Sequence, residues 1–324
     1  MAYTTIDNPT DYFNTVLYTG NATARSITGV GFQPDWVWNK TRSAGQNHFI
    51  YDSVRGASKD IRSNQTGAEG TSDAVTAFNS DGFSVGSGND GNENSQTYVN
   101  WNWKETATAG FDIVSYTGNG SHPRTISHSL SAVPQMIIIK DRDQGTDWFV
   151  YHQGINNTHC LLLNTTNAQI STDVWNDTTP TSSVFSLGTG DVNTNNIKYI
   201  AYCFSEKKGF SKFGSYTGNG NADGTFVYTG FKPAFVLVKA TSISGESWQL
   251  NDTKRKTFNV NSTSLFPNLS NAESSTAMYV DMLSTGFKAR ETGNGVNGSG
   301  VSYIYMCFAE SPFTTSTGIP TTAR

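Results

Sequence analysis

The chain has 324 residues, with 36 % hydrophobic and only 15 % charged side chains; this is room for two or three domains and excludes peptide hormones, small disulfide knots and disordered tails. Twenty-two Lys and Arg against 26 Asp and Glu give a net charge of −4, and the cations are scattered, so the clustered positive footprint that nucleic acid requires is missing. With 31 Gly, 14 Tyr, 19 Phe and 7 Trp in a chain poor in helix formers, many short strands joined by turns are expected, an all-β protein.

Residues Met1 to Asp7 hold neither the basic nor the apolar stretch of an export signal, and no run approaches the roughly 18 apolar residues of a membrane span. The expectation is a chain made in the cytoplasm, without membrane insertion, whose residues 1–11 form an N-terminal arm. From there a pattern begins that occurs three times. Tyr18-Thr19-Gly20-Asn21 recurs as Tyr116-Thr117-Gly118-Asn119 and Tyr216-Thr217-Gly218-Asn219. Its glycines read as turn positions needing φ > 0. Next, Pro34, Pro134 and Pro233 open apolar runs that close on Lys40, Lys140 and Lys239. Each proline is expected at the first residue of a strand, where its missing N–H does least harm.

A second apolar segment follows: His48 to Asp52, Trp148 to His152 and Trp248 to Asp252. Asp52 and Arg55 read as a local ion pair whose counterparts differ, hence as loop structure. In the second unit the stretch Asp141-Arg142-Asp143-Gln144-Gly145-Thr146-Asp147 places alternate carboxylates around a glycine, which makes Asp141, Asp143 and Asp147 the Ca²⁺ candidates. It lacks the bidentate Glu and register of an EF-hand, and a polar hairpin tip is the preferred reading.

Each unit closes on a strand of period-2 alternation, Tyr98 to Trp103, Tyr199 to Phe204 and Tyr303 to Phe308. Val99/Trp101/Trp103, Ile200/Tyr202/Phe204 and Ile304/Met306/Phe308 are expected to be equivalent and to face the core. Cys203 and Cys307 stand where unit one has Asn102, which points to apolar surroundings for the opposite face in the later units. The organisation is an arm (1–11), three β-sandwich repeats of jelly-roll or lectin-like type (12–107, 108–207 and 208–310) and a Thr-rich tail (311–324).

No catalytic constellation emerges. The five histidines do not repeat between units, and neither a Cys-x-x-Cys nor a His-Glu-x-x-His spacing exists. Cys160, Cys203 and Cys307 read as reduced, buried thiols. Nucleophile elbows, phosphate loops and dinucleotide fingerprints are also absent, so neither an enzyme nor a cofactor is expected. Aromatics reach 12 %, more than units of this size hide, so apolar patches between units or subunits are expected. The expectation is a homotrimer, with a compact three-lobed monomer docked on a symmetric site as the alternative.

The first unit carries Gly31-Phe32-Gln33-Pro34-Asp35-Trp36-Val37-Trp38-Asn39-Lys40, then Ser80-Asp81-Gly82-Phe83, then Tyr98-Val99-Asn100-Trp101-Asn102-Trp103. With the Tyr-Thr-Gly-Asn turns, this pattern resembles a repeat found in structural proteins of tailed bacteriophages, many of them marine. The second unit departs from it, with Leu130 to Pro134 in place of the Gly-Phe-x-Pro turn. The resemblance spans nearly the whole chain and transfers no catalytic or binding residue. It implies a virion exterior protein, tail fibre or spike or capsid decoration, that assembles with other virion proteins and touches host-surface glycans. The alternative is a modular lectin-like protein that binds or acts on carbohydrate.

Overall fold

A computed structural model describes residues 4–188 and 190–321. In each unit the closing strand is flanked by the opening strand on one edge and by the proline-led strand on the other, all antiparallel. In unit one this large sheet runs Phe13–Thr19, Thr97–Trp103, Trp36–Thr41, His48–Asp52, Lys59–Arg62 and Gly70–Thr71. A smaller sheet of Arg25–Thr28, Gly82–Val85 and Ala77–Asn79 is the second layer. Unit two repeats the six-stranded order with a two-stranded second layer, and unit three has four strands beside a three-stranded one. The first, third and closing strands share one sheet and the second strand lies in the other, the alternation of a jelly roll, while the third strand runs directly into a hairpin with the fourth. The protein is all-β and built of three sandwiches. Among the described residues helix is confined to Asn89–Asn92 and three 3₁₀ turns.

Both faces of each large sheet are buried, which a sandwich alone does not require. Trp103, Phe204 and Phe308 pair with Trp36, Met136 and Phe235, and Trp101, Tyr202 and Met306 pair with Trp38, Ile138 and Leu237. The three closing triplets therefore occupy equivalent register. All of them enter one central core shared by the three units. Trp36 stands 4.9 Å from Tyr202, and Phe13 stacks on Phe308 at 5.1 Å. The physical reason is area: a unit of about 95 residues cannot enclose this many large aromatics, and three inner faces closed on each other can. The opposite faces build three separate outer cores against the small sheets. Cys203 and Cys307 lie in the second and third of these, fully buried among apolar side chains. Unit one places Asn39, Asn100 and Asn102 there instead, all buried.

The repeated Tyr-Thr-Gly-Asn turns pin the sheets together. Tyr18, Tyr116 and Tyr216 stack on Tyr98, Tyr199 and Tyr303 at 4.9–5.0 Å, and their hydroxyls donate to the carbonyls of Gly91, Val192 and Val296. The glycines require correction. Gly20, Gly118 and Gly218 are absent from the positive-φ residues; a Cβ on them would stand 2.1, 1.9 and 2.3 Å from the carbonyl oxygens of Glu93, Thr194 and Gly298. Close backbone approach, and not a left-handed turn, excludes a side chain there. The prolines differ from expectation as well. Pro34 and Pro134 precede their strands by two residues, whereas Pro233 sits inside Phe231–Ala240 at a register shift, a bulge that tolerates the missing donor. The arm is also no free extension: Ile6 enters the central core, and Asp7 accepts hydrogen bonds from Ser316 of the tail.

Candidate functional site

The units close into a ring through one position repeated three times. Asp52, His152 and Asp252 each end the fourth strand of a large sheet. Asp52 Oδ2 accepts from the Tyr202 hydroxyl of unit two at 2.7 Å, His152 Nε2 lies 3.2 Å from the Tyr305 carbonyl of unit three, and Asp252 Oδ2 accepts from Trp101 Nε1 of unit one at 3.0 Å. Around the two aspartates the same four-charge network is built twice. Arg55 pairs with Asp52 and Glu69, and Glu69 pairs with Arg142 of the next unit; Arg255 pairs with Asp252 and Glu273, and Glu273 pairs with Arg42. The Asp52–Arg55 pair thus has a true counterpart in unit three, contrary to the reading of it as local loop structure. The spacing is the same in sequence, Asp52-Ser53-Val54-Arg55 against Asp252-Thr253-Lys254-Arg255, and only the two intervening residues differ.

The junction of units two and three carries no such charges. His152, Ile155, Gln169 and Thr241 stand at the four places, and the backbone bond from Gln169 N to Thr241 O at 2.9 Å parallels those from Glu69 N to Arg142 O and from Glu273 N to Arg42 O, both 2.8 Å. Burial pulls the His152 imidazole down to about 4, against the bond to Tyr305, so it is neutral. His48 is likewise lowered, first by burial and then by Lys40 and Arg255, and its Nδ1 accepts from Trp38 Nε1 at 3.0 Å.

Lys40, Lys140 and Lys239 have no exposed surface. Each Nζ donates to backbone carbonyls, including Thr41 and Ser270 for Lys40, Asp141 and Gln144 for Lys140, and Thr166 and Glu246 for Lys239. Two of those carbonyls belong to the neighbouring unit. Burial lowers the ammonium groups to about 7 at Lys40 and about 8 at the other two. The sequence shows these lysines as a repeated landmark, but nothing in it says that they are inside. Asn92, Asn193 and Asn297, also buried, form a second set with no flag in the sequence. The side-chain oxygen of each accepts the backbone N–H of Asn21, Asn119 or Asn219 at 3.1 Å.

The calcium candidates are directed to different partners. Asp141 Oδ1 accepts from the amides of Asp143 and Gln144, Asp143 Oδ2 accepts from Lys198 N, and Asp147 Oδ1 accepts from Asn164 Nδ2. Among the described residues no three His, Cys, Asp or Glu side chains gather to hold a metal ion. The carboxyl pair nearest to acid chemistry is Glu105 with Asp112; burial and then Asp112 and Asp35 push Glu105 up to about 7 against its bond to Ile113. Both carboxyls hold backbone, Glu105 the amide of Ile113 and Asp112 that of Ser129. The thiols of Cys160, Cys203 and Cys307 are free and buried; burial raises all three, Cys160 to about 12, which removes thiolate character.

Exposed apolar side chains, scattered over the first two units as Leu17, Val54, Val133 and Ile170, are densest on unit three. Phe226, Tyr228, Phe258, Val260, Phe313 and Ile319 are exposed there and on the adjoining tail. Beside them runs a groove of about 930 Å³ between Phe226 and Phe258, with Met282, Leu283, Ser284 and Thr285 along it and Lys232 and Lys256 at its rim. Lys232 is paired with Glu310 at 2.8 Å, and Lys256 has no ion pair among the described residues. This groove was invisible to motif reading.

A pseudo-threefold, all-β body with ionic junctions and one aromatic groove is therefore the class of protein at hand. The chain belongs to the family described as Domain of unknown function (DUF7483), which matches residues 8–312. No curated protein and no solved structure matches it.

Proposed function

We propose that this chain is a non-enzymatic structural protein of a bacteriophage virion exterior, a tail fibre or spike component or a capsid decoration, made in the host cytoplasm and acting through contacts with other virion proteins. The observation that carries the reading is the closed ring: one chain builds a threefold body whose repeated landmarks are spent on stacking tyrosines, tying turns and joining units. Exterior virion sites are symmetric, and a rigid three-lobed block suits them. The sequence reading favours a homotrimer over a compact three-lobed monomer; closure of the ring within one chain moves our proposal to the monomer, with the exposed apolar residues of unit three available to a neighbour. The modular lectin is the second reading, supported by the aromatic groove; the shared core speaks against three independent modules.

The test is immunogold electron microscopy with antibody to this chain on particles purified from lysates of the source. Regular labelling of tails or capsids is expected. Its absence from purified particles, with the protein recovered only in the free fraction, overturns the assignment.

A further inference from the structure

We propose that the groove on unit three binds a carboxylate-bearing oligosaccharide. This rests on the reading of the chain as an exterior protein that meets host glycans, and it gives that contact a place and a chemistry.

One wall of the groove is an insertion that units one and two lack. Asn64 and Asn164 stand twelve positions after Asp52 and His152, but Asn268 stands sixteen after Asp252, although all three asparagines do the same work, accepting the backbone N–H of His48, Trp148 and Trp248. The four extra residues fall in the stretch that carries Phe258, which is 79 % exposed, the highest value among the exposed large hydrophobic side chains. The fold completes itself twice without this loop. Phe258 thus stands in water on a segment that two of the three units do without, beside the exposed Val260 and Phe226, where an apolar patch suits contact.

The loop is also preorganised. Asn259 Nδ2 donates to the Met282 carbonyl at 3.0 Å, and Asn259 Oδ1 accepts from the Met282 amide at 2.9 Å, so one side chain pins the wall to the neighbouring strand as a paired strand would. The cleft of about 930 Å³ is open and has room for several sugar rings. Its two phenylalanines offer apolar faces of the kind on which pyranose rings stack, and Ser284, Thr257 and Thr285 bring hydroxyls for sugar oxygens. Charge selects the acidic class. Lys256 at the rim and Lys254 beside it are exposed and unpaired among the described residues, while the one carboxylate lining the groove, Glu310, is neutralised by Lys232. A local excess of cations on a chain of net charge −4 favours a uronate or sialate over a neutral glycan.

The experiment is a printed array of uronate, sialate and neutral oligosaccharides probed with the labelled full chain, with Phe258→Ala and Lys256→Ala variants alongside. Both residues are exposed, so the variants keep the fold, and circular dichroism checks it. Binding confined to carboxylated glycans is expected, weakened by salt and reduced about tenfold or more in each variant. A silent array, binding to neutral sugars alone, or binding that Phe258→Ala leaves intact overturns the proposal. If light scattering instead reveals self-association that Phe258→Ala abolishes, the groove is an interface between copies and the glycan assignment falls. Labelled particles with a silent array would remove only this proposal, whereas unlabelled particles with a positive array would remove only the virion assignment.

Discussion

Lys40, Lys140 and Lys239 place an ammonium group where each threefold-equivalent turn converges its carbonyls, the role a bound cation plays in other loops. Desolvation disfavours the charge, and the carbonyl dipoles that accept from it offset part of that cost. The sign of the resulting pH effect follows from linkage. The folded values, about 7 to about 8, lie below the ordinary lysine value of about 10.4, so between them the unfolded chain binds more protons and these groups add stability as pH rises. Lys140→Met should therefore lose stability at pH 7, by about 1–3 kcal/mol, because the carbonyls of Asp141 and Gln144 are left without a buried donor. The gap to the parent should widen between pH 7 and pH 9. Urea denaturation at a series of pH values measures it, and a constant gap would mean that this lysine is charged throughout.

At the scale of strands, alternation of side chains made the closing strands legible, but it could not say what each face meets. Val99, Trp101 and Trp103 read as core and are core; that their core is common to three units lies in packing, not in a period of two. The opposite face was legible only where Cys203 and Cys307 marked it as apolar. The ionic junctions were half visible, since Asp52 and Arg55 are neighbours in sequence while Glu69 and Arg142 are brought to them by the ring. The groove's insertion appears only when equivalent asparagines are known. In unit one the outer face keeps an internal pair, Asn39 Nδ2 donating to Asn100 Oδ1 at 2.7 Å, while Asn39 Oδ1 and Asn100 Nδ2 have no partner. Units two and three put Ile139 with Ala201 and Val238 with Tyr305 at these places. Asn39→Val leaves Asn100 Oδ1 without its donor and should cost about 1–3 kcal/mol, while Asn100→Ala leaves Asn39 Nδ2 only the Tyr18 hydroxyl at 3.3 Å and should cost less; the double variant removes both buried amides and should be within about 1 kcal/mol of the parent or above it. A thermal-unfolding cycle decides; additive losses would show that the pair is not coupled.

For the whole molecule, the ring has two charged joints and one neutral joint, and unit one stands between the charged pair. Burial pushes the Glu69 carboxyl up, but hydrogen bonds and charge from Arg142 and Arg55 outweigh it and hold the group below its ordinary value. Its contribution is present above the unfolded value of about 4.3 and is lost as pH falls through the folded one. Glu105 moves the other way. Pushed up to about 7, it favours the fold below the ordinary carboxyl range and ceases to do so as pH rises through 7, so it covers the strand edge at Ile113 in acid without holding the joint's arginines. Once Glu69 is protonated, Arg55 keeps Asp52 but Arg142 loses its carboxylate, and the charge that bridged the two units is gone. Glu273 with Arg42 and Arg255 repeats this arrangement at the other joint. The joint of units two and three has no carboxylate at those places; Gln153 Nε2 on the Phe213 carbonyl at 2.6 Å and Trp248 Nε1 on the Leu162 carbonyl at 3.0 Å hold it in acid, opposed by the single imidazole of His152, which is lowered to about 4 and takes up a proton below that. Unit one loses a carboxylate bridge at both of its joints, against one imidazole charged at the third, so acid should release unit one first. Limited pepsin digestion at about pH 3 reads this directly, since pepsin is active there: early cleavage is expected within unit one or between residues 104 and 110, with a surviving fragment that spans the other two units. A first cut between residues 205 and 210, or simultaneous loss of all three units, would mean that the charged joints do not set the order in which the ring opens.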